Sequence, residues 1–383
     1  MALSKIDTTN MIEDVPQSKL DNNINFRNII INGDMSIAQR GTSATTLALS
    51  SGGFRYNDVD RFAVNAGNVS SGQVSTEQIN SGLDGFPKAK RITVTTAEVS
   101  PATNGYLSIV HNIEGQNLQY IKYGTSNALA LTLSFYIRSS VTGNFAGNII
   151  QTDSRPSQNR AFIFNYTINS ANTWEKKTIS ILADASGVID NDNNNSFEIN
   201  LTYLYLGSDY SNGTLNTWNS NPSGNSYSNN ATRVNLLATS GATFDITGVQ
   251  LEAGTTASDF EFLPRDISLQ RCYRYCYKTP TGSLSHIYGE YCNAHHYTTT
   301  TMLGLCSVNP VEMRAPFTVT FSGSFESYGA SAVHSISSLS SNEITSRGFQ
   351  INGTSSVARN NGEGVTIRNS NNTTAFILQE AEI

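Results

Sequence analysis

Short runs in which apolar and polar residues alternate recur along this chain, with no helical pattern between them until residue 266. Successive side chains of a strand point to opposite faces, so period-two runs rich in β-branched and aromatic residues fit half-buried strands. Such runs are Arg91–Thr95, Leu131–Arg138, Ala161–Ile168, Lys176–Ile181, Glu198–Leu206 and Phe244–Leu251. Strands at intervals without intervening helices imply an antiparallel sandwich, so the expected class is all-β.

Composition agrees with a folded, rigid object. Charged residues are only 14%, the net charge is −6 and aromatic residues make up 9%, whereas disordered chains combine low hydrophobicity with high net charge. The 24 basic residues are scattered, which argues against a nucleic-acid partner, because neutralising phosphates takes clustered Lys and Arg. No apolar run approaches the ~20 residues that a membrane-spanning helix needs. The first ten residues lack the basic start and apolar core of a secretory signal.

At 383 residues the chain has room for two or three domains. Residues 1–25 are too sparsely apolar to fold alone and are interrupted by Pro16; they read as an attachment segment ordered by a partner, or else as a loose terminus. A sheet domain over 26–264 closes with Gly248–Gly254, where Val249 and Leu251 alternate with Gln250 and Glu252. Pro264 then forbids a helix before it, and Asp266 or Ser268 can cap one after it. Leu269, Cys272, Tyr273 and Cys276 fall at i, i+3, i+4 and i+7, one face of a connector helix within 265–279. Residues 280–383 form a second β unit, with strands expected in Thr298–Val308, Pro316–Phe321, Gly348–Asn352, Gly364–Arg368 and Thr374–Gln379. Its strands are short and carry few large side chains, and trimerisation would supply the missing burial.

Two Asn-, Ser- and Gly-rich stretches, Gly143–Arg160 and Gly207–Asn235, read as long loops, which in a compact domain are usually functional or disordered. Tyr210, Trp218 and Tyr227 in the second are candidates for stacking on a sugar ring; the alternative is that they pack onto their own domain. Trp174, just before a strand, reads as core. In the distal unit Tyr288, Tyr291, His295, His296 and Tyr297 form the densest aromatic and imidazole cluster, suited either to a surface glycan or to an intersubunit core. Cys272, Cys276, Cys292 and His295 mimic a zinc set, but their spacing is not a standard one, and free buried thiols are the simpler reading. Asp190–Asn195 lacks the Gly and distant Glu of an ion-binding loop and reads as a turn. No nucleophile elbow, phosphate loop or His-Glu-x-x-His is present, so no catalytic residue is assigned.

Several of these stretches resemble a family of bacteriophage tail-fibre and receptor-binding proteins. They are the closing Val249-Gln-Leu-Glu252 strand, the Leu269–Tyr275 helix, the opening Asn28–Asp34, Ala38–Thr42, Asp60-Arg61-Phe62, and Val311–Pro316. The resemblance covers roughly residues 26–320, and its motifs are structural rather than catalytic. It implies a carbohydrate-binding-module-like jelly roll, a short connector helix and a second C-terminal β-sandwich tip, assembled as a homotrimer. The implied function is attachment of a virion to a host-surface glycan or outer-membrane component, with residues 1–25 docking to other tail proteins. Jelly rolls of this kind often hold one structural calcium, for which Asp34 and Glu252 occupy suitable positions; turn capping and solvation are the plain alternatives. No other cofactor is expected. A polysaccharide depolymerase and a purely structural fibre spacer are the competing readings, since two facing carboxylates are all that a glycosidase requires.

Overall fold

The alternation of Leu131, Leu133, Phe135 and Ile137 becomes a strand whose four apolar side chains are fully buried, each contributing about 1.5–3 kcal/mol of transfer free energy. A computed structural model describes residues 26–153, 160–220, 227–229, 232–279, 290–305, 309–329, 332–370, 372 and 374–383. The expected attachment segment, 1–25, lies outside them. The chain divides into two compact units. The first takes residues 26–36, 43–55 and 62–262; the second takes 37–42, 56–61 and 263–383.

The first unit contains β1 (Thr45–Ala48), β2 (Gly53–Arg55), β3 (Phe62–Gly67), β4 (Gln73–Leu83), β5 (Phe86–Thr96), β6 (Tyr106–Glu114) and β7 (Leu131–Ser139). It continues with β8 (Gly143–Gln151), β9 (Arg160–Ile168), β10 (Glu175–Ile181), β11 (Asn195–Leu206), β12 (Trp218–Ser220) and β13 (Thr243–Ala253). One sheet runs β1-β4-β5-β13-β7-β10 and the other β12-β9-β8-β11-β6-β3-β2. The late strands β13 and β11 are threaded between earlier ones, the interleaving of a jelly roll. Rings from the two sheets meet in the core, Phe135 with Tyr166 at 5.4 Å and Phe145 with Phe244 at 5.6 Å.

Besides the short β12 inside the Gly207–Asn235 stretch read as loop, the sandwich departs from the sequence reading at two places. Asn28–Asp34 is not a strand but a bent segment laid along β13, with Asn32 and Met35 at positive φ. It is held by Ile29 N to Leu251 O (2.9 Å), Val249 N to Gly33 O (2.9 Å) and the Asn28 side chain on both Val249 and Leu251. The second departure is Gly143–Gln151, expected as loop, which is β8, a central strand. Its Phe145 and Ile149 are fully buried in the core. The Asn residues that suggested a loop lie on the other face, where Asn148 is buried among polar neighbours.

In the second unit, helix α1 (Arg265–Tyr273) begins after Pro264, which itself occupies the N-cap without a side-chain cap bond. It ends before Cys276, which instead opens β14 (Cys276–Lys278); the expected fourth helical position therefore lies on a strand. The remaining strands are β15 (Glu290–His296), β16 (Thr301–Leu305), β17 (Thr318–Ser322), β18 (Phe325–Gly329), β19 (Val333–Asn342), β20 (Gln350–Ser355), β21 (Gly364–Asn369) and β22 (Phe376–Glu380). Strands β15-β16-β20-β19-β18-β21 close into a barrel, and β14-β22-β17 form a small sheet. Closure leaves the barrel no free edge, and Met302, Phe325, Ile351 and Ile367 fill a shared core with Met313, Phe317 and Ile377. The expected tip is thus all-β as read, with a closed barrel in place of an open sandwich.

Residues 37–42 and 56–61, read as part of the jelly roll, contribute to this second unit. Arg40 pairs with Glu380 (2.7 Å) and Glu382 (3.1 Å), Arg61 pairs with Glu382 and lies 3.5 Å over the Tyr275 ring, and Gln39 bonds Asp60 and Cys276 O. Burial works against the charge on both arginines, but the facing carboxylates outweigh it and raise their pKa values. Tyr56 and Arg314 bond the carbonyls of Ile383, Ala381 and Glu382, so the three residues after β22 are held from more than one side. Among the described residues no helix is long and apolar enough to cross a membrane.

Candidate binding cleft

The outward face of the β3-β6-β11-β8 sheet carries polar side chains that are nevertheless buried. Asn65, Ser108 and Tyr203 are cross-strand neighbours on β3, β6 and β11, and Asn200 of β11 lies opposite Asn148 of β8. Asn148, Ser108 and Asn200 are at most 1% exposed and Asn65 is 6% exposed. They form a connected floor. The Asn148 amide donates to Tyr203 Oη (3.0 Å) and Tyr227 O (2.9 Å), while the Asn200 amide donates to Asn148 Oδ1 (3.0 Å) and Glu198 Oε1 (3.0 Å).

Tyr203 is on this face because β11 is irregular. Strict alternation would group it with Phe197, Ile199 and Leu201 in the core. Register shifts between Asn200 and Thr202 and between Tyr203 and Tyr205 break that alternation, and the Tyr203 hydroxyl reaches Asn148 instead. Gly67 matters similarly: a Cβ there would come within 2.5 Å of the Tyr106 ring, so only glycine leaves that ring its place.

Above the floor stands a wall of tyrosines. Tyr106 meets Tyr210 edge-on at 6.2 Å and Tyr210 meets Tyr227 at 5.5 Å. Tyr210 Oη is anchored on Asn104 O at 2.9 Å. Floor and wall enclose a cleft of about 630 Å³, whose lining also includes Phe54, Ile150, Leu206 and Asp209. That size suits a small ligand or one unit of a polymer.

The electrostatics are one-sided. Glu198 and Asp209 are the only charged side chains lining the cleft among the described residues. Burial pushes the Glu198 carboxyl upward, with the Asn200 amide opposing; Glu198 is only half-buried, and its open side moderates the push. Burial also raises Tyr203 well above its ordinary value, with Glu198 adding to it. Tyr106 and Tyr210 are raised for the same kind of reason, burial first and then Glu198 or Asp209. The tyrosine hydroxyls therefore stay protonated and able to donate. Two buried oxygens of this sheet face, Asn65 Oδ1 and Ser108 Oγ, have no hydrogen-bond partner among the described residues. Buried polar atoms of folded proteins are nearly always satisfied, and of these two residues Asn65 lines the cleft, so its Oδ1 marks where a ligand hydroxyl would bond.

Of the residues singled out from sequence, Tyr210 and Tyr227 meet in this cleft. Trp218 does not. It packs edge-on against Tyr123 (5.7 Å) and Phe162 (5.6 Å) and donates Nε1 to Leu182 O at 2.8 Å. The distal cluster is split: alternation on β15 buries His296 in the barrel and leaves His295 exposed, Tyr291, beside the register shift between Glu290 and Cys292, bonds Ala375 O, and Tyr297 beyond the strand is exposed. Tyr288 lies outside the described residues.

Asp34 and Glu252 are not brought together. Asp34 sits beside Thr247, with its carboxylate on Ser36, whereas Glu252 is five residues farther along β13, about 17 Å at strand rise. Glu252 is taken up by Ser258 (2.9 and 2.6 Å), Gln250 (2.9 Å) and Arg27 (3.7 Å). Cys272, Cys276 and Cys292 are buried free thiols. Among the described residues no group of three or more His, Cys, Asp or Glu is placed to hold a metal ion.

No protein-family model matches the sequence, and no curated protein matches it. Among solved structures, it is similar to a family 11 carbohydrate-binding module from Clostridium thermocellum in complex with a β-1,3-1,4-mixed-linked tetrasaccharide. The two share 14% identity over 57% of this chain and 99% of that one, with a TM-score of 0.28. It is similar to the CBM22-2 xylan-binding domain from Paenibacillus barcinonensis Xyn10C, at 12% identity over 55% of this chain and 99% of that one, TM-score 0.29. A third similarity is to the enzymatically active domain of bacteriophage CBA120 tailspike protein 4, at 11% identity over 60% of this chain and 22% of that one, TM-score 0.28. At these scores the similarities carry nothing about ligand, and the functional reading rests on the cleft.

Proposed function

We propose that this protein binds a saccharide in the cleft over β3, β6, β11 and β8, as the receptor-binding subunit of a virion tail fibre. The observation that carries the saccharide reading is the floor itself: buried amides and hydroxyls in register, with Asn65 Oδ1 on the cleft lining and without a partner among the described residues, under a wall of tyrosines. A pyranose offers hydroxyls at its rim and an apolar face, which such a floor and wall complement. Support for the virion role comes from the sequence motifs spread over residues 26–320. Three copies per fibre and several fibres per particle would multiply weak individual contacts.

One observation favours a second reading. Glu198 and Asp209 line the same cleft, and a pair of carboxylates is the minimal equipment of a glycosidase. Incubating the purified protein with host-surface polysaccharide tests both readings. A receptor-binding protein blocks phage adsorption and releases no soluble sugar; a depolymerase releases sugar and loses that activity on Glu198→Gln or Asp209→Asn. A fibre spacer does neither, and that result would overturn the proposal.

A further inference from the structure

We infer that the cleft selects a cationic saccharide, a hexosamine carrying a free ammonium group, over neutral and acidic sugars. The inference rests on the saccharide reading above and names the class of sugar. Three features point the same way. Every charged side chain that lines the cleft among the described residues is a carboxylate. Glu198 lines the same cleft as Asn65, whose buried Oδ1 has no hydrogen-bond partner among the described residues, and the Asn200 amide at 3.0 Å is its hydrogen-bond donor, so it has acceptor capacity left to offer. The wall presents Tyr106, Tyr210 and Tyr227 at ring separations of 5.5–6.2 Å, and the faces of such rings attract a cation.

The floor's chemistry fits the same group. Asn65 Oδ1 and the Glu198 carboxylate can only accept hydrogen bonds, and an ammonium offers three donors and no acceptor. A uronic or sialic acid would bring its carboxylate into a cleft whose charged lining is all carboxylate, and like charge disfavours it there. Asp209 is exposed at the rim, where its charge acts by steering rather than by direct pairing.

The test is calorimetric titration of the full-length protein with four oligosaccharides of equal length: a β-1,4-linked glucosamine, its N-acetylated counterpart, a neutral glucan and an oligouronate. A charge-matched oligolysine controls for plain attraction to a chain of net charge −6. The glucosamine oligomer should bind at least about tenfold more tightly than the N-acetylated one, because a charge-assisted contact replaces a neutral one. Glu198→Gln should remove most of that preference. Tyr210→Leu should reduce it severalfold, and serves as the second variant if the first does not fold. Equal or better binding of the N-acetylated, neutral or acidic sugar overturns the inference and leaves the saccharide reading standing. Oligolysine binding as tight as the glucosamine oligomer, and unchanged in Glu198→Gln, also overturns it. Absence of binding to any of the sugars overturns both.

Discussion

Gly33 shows how closely two backbones can depend on one missing side chain. A Cβ there would lie 2.0 Å from Val249 O, and neither partner is a flexible side chain that could move aside. Gly33→Ala should therefore cost at least about 2 kcal/mol of stability in chemical denaturation, the scale of a clash that forces backbone to shift. Glu98 makes a different residue-level case. Burial alone would raise its carboxyl, but the backbone amides of Ser71, Gly72 and Ser70 outweigh it and bring the pKa from 4.5 down to about 2. A group depressed in the folded state stabilises above its unfolded pKa and loses that contribution as pH falls through the folded value. The stability difference between the native protein and Glu98→Gln should thus be constant above about pH 5 and shrink between pH 4.5 and 2, as followed by thermal melts across that range. A constant difference down to pH 2 would refute this account of Glu98. Neither residue stood out in the sequence, because a close approach and a three-amide cradle join segments whose pairing depends on the folded chain.

At the level of elements, the strands that alternate cleanly are legible in the sequence alone, and β5, β7, β9, β10, β11 and β13 lie where the pattern puts them. Among the strands the sequence reading leaves out, β8 is a central one read as loop, and the reason is chemical. A strand whose outer face is a buried polar floor places Asn where a solvent-facing strand carries Thr or Lys, and Asn also marks turns. The bulge in β11 hides Tyr203 in a second way, since alternation assigns it to the core. Tyr210 and Tyr227 of the wall are visible as aromatic residues in a polar stretch; the floor is not. Asn148→Leu would break the bonds to Tyr203, Tyr227 and Asn200. It should weaken saccharide binding at least fivefold while costing no more than about 3 kcal/mol of stability, as read by titration and denaturation together. In the second unit, Arg61→Ala leaves Glu382 buried without that partner. It should lower the stability of this unit by about 3–5 kcal/mol, seen by calorimetry as a loss confined to one transition.

For the whole molecule, the all-β class follows from the strand pattern, whereas the partition into units does not. Asp60-Arg61-Phe62 reads as one motif, yet Asp60 and Arg61 serve the C-terminal unit while Phe62 opens β3 of the sandwich. A motif holding residues of two units cannot be divided by inspection. Assembly is the property that the fibre reading adds, and light scattering of the full chain should return three times the 41.5 kDa subunit mass. A stable monomer would remove the fibre and leave the cleft untouched. The central claim is that sugar enters the cleft of the sandwich and not the distal unit, and one titration series tests it most directly. Saturable binding of a host-surface oligosaccharide should fall at least about tenfold in Asn200→Ala and Tyr203→Leu, since each removes contacts of the floor, and should be unchanged in His295→Ala and Tyr297→Ala. Binding that survives the first two substitutions and is lost with the second two would contradict the account.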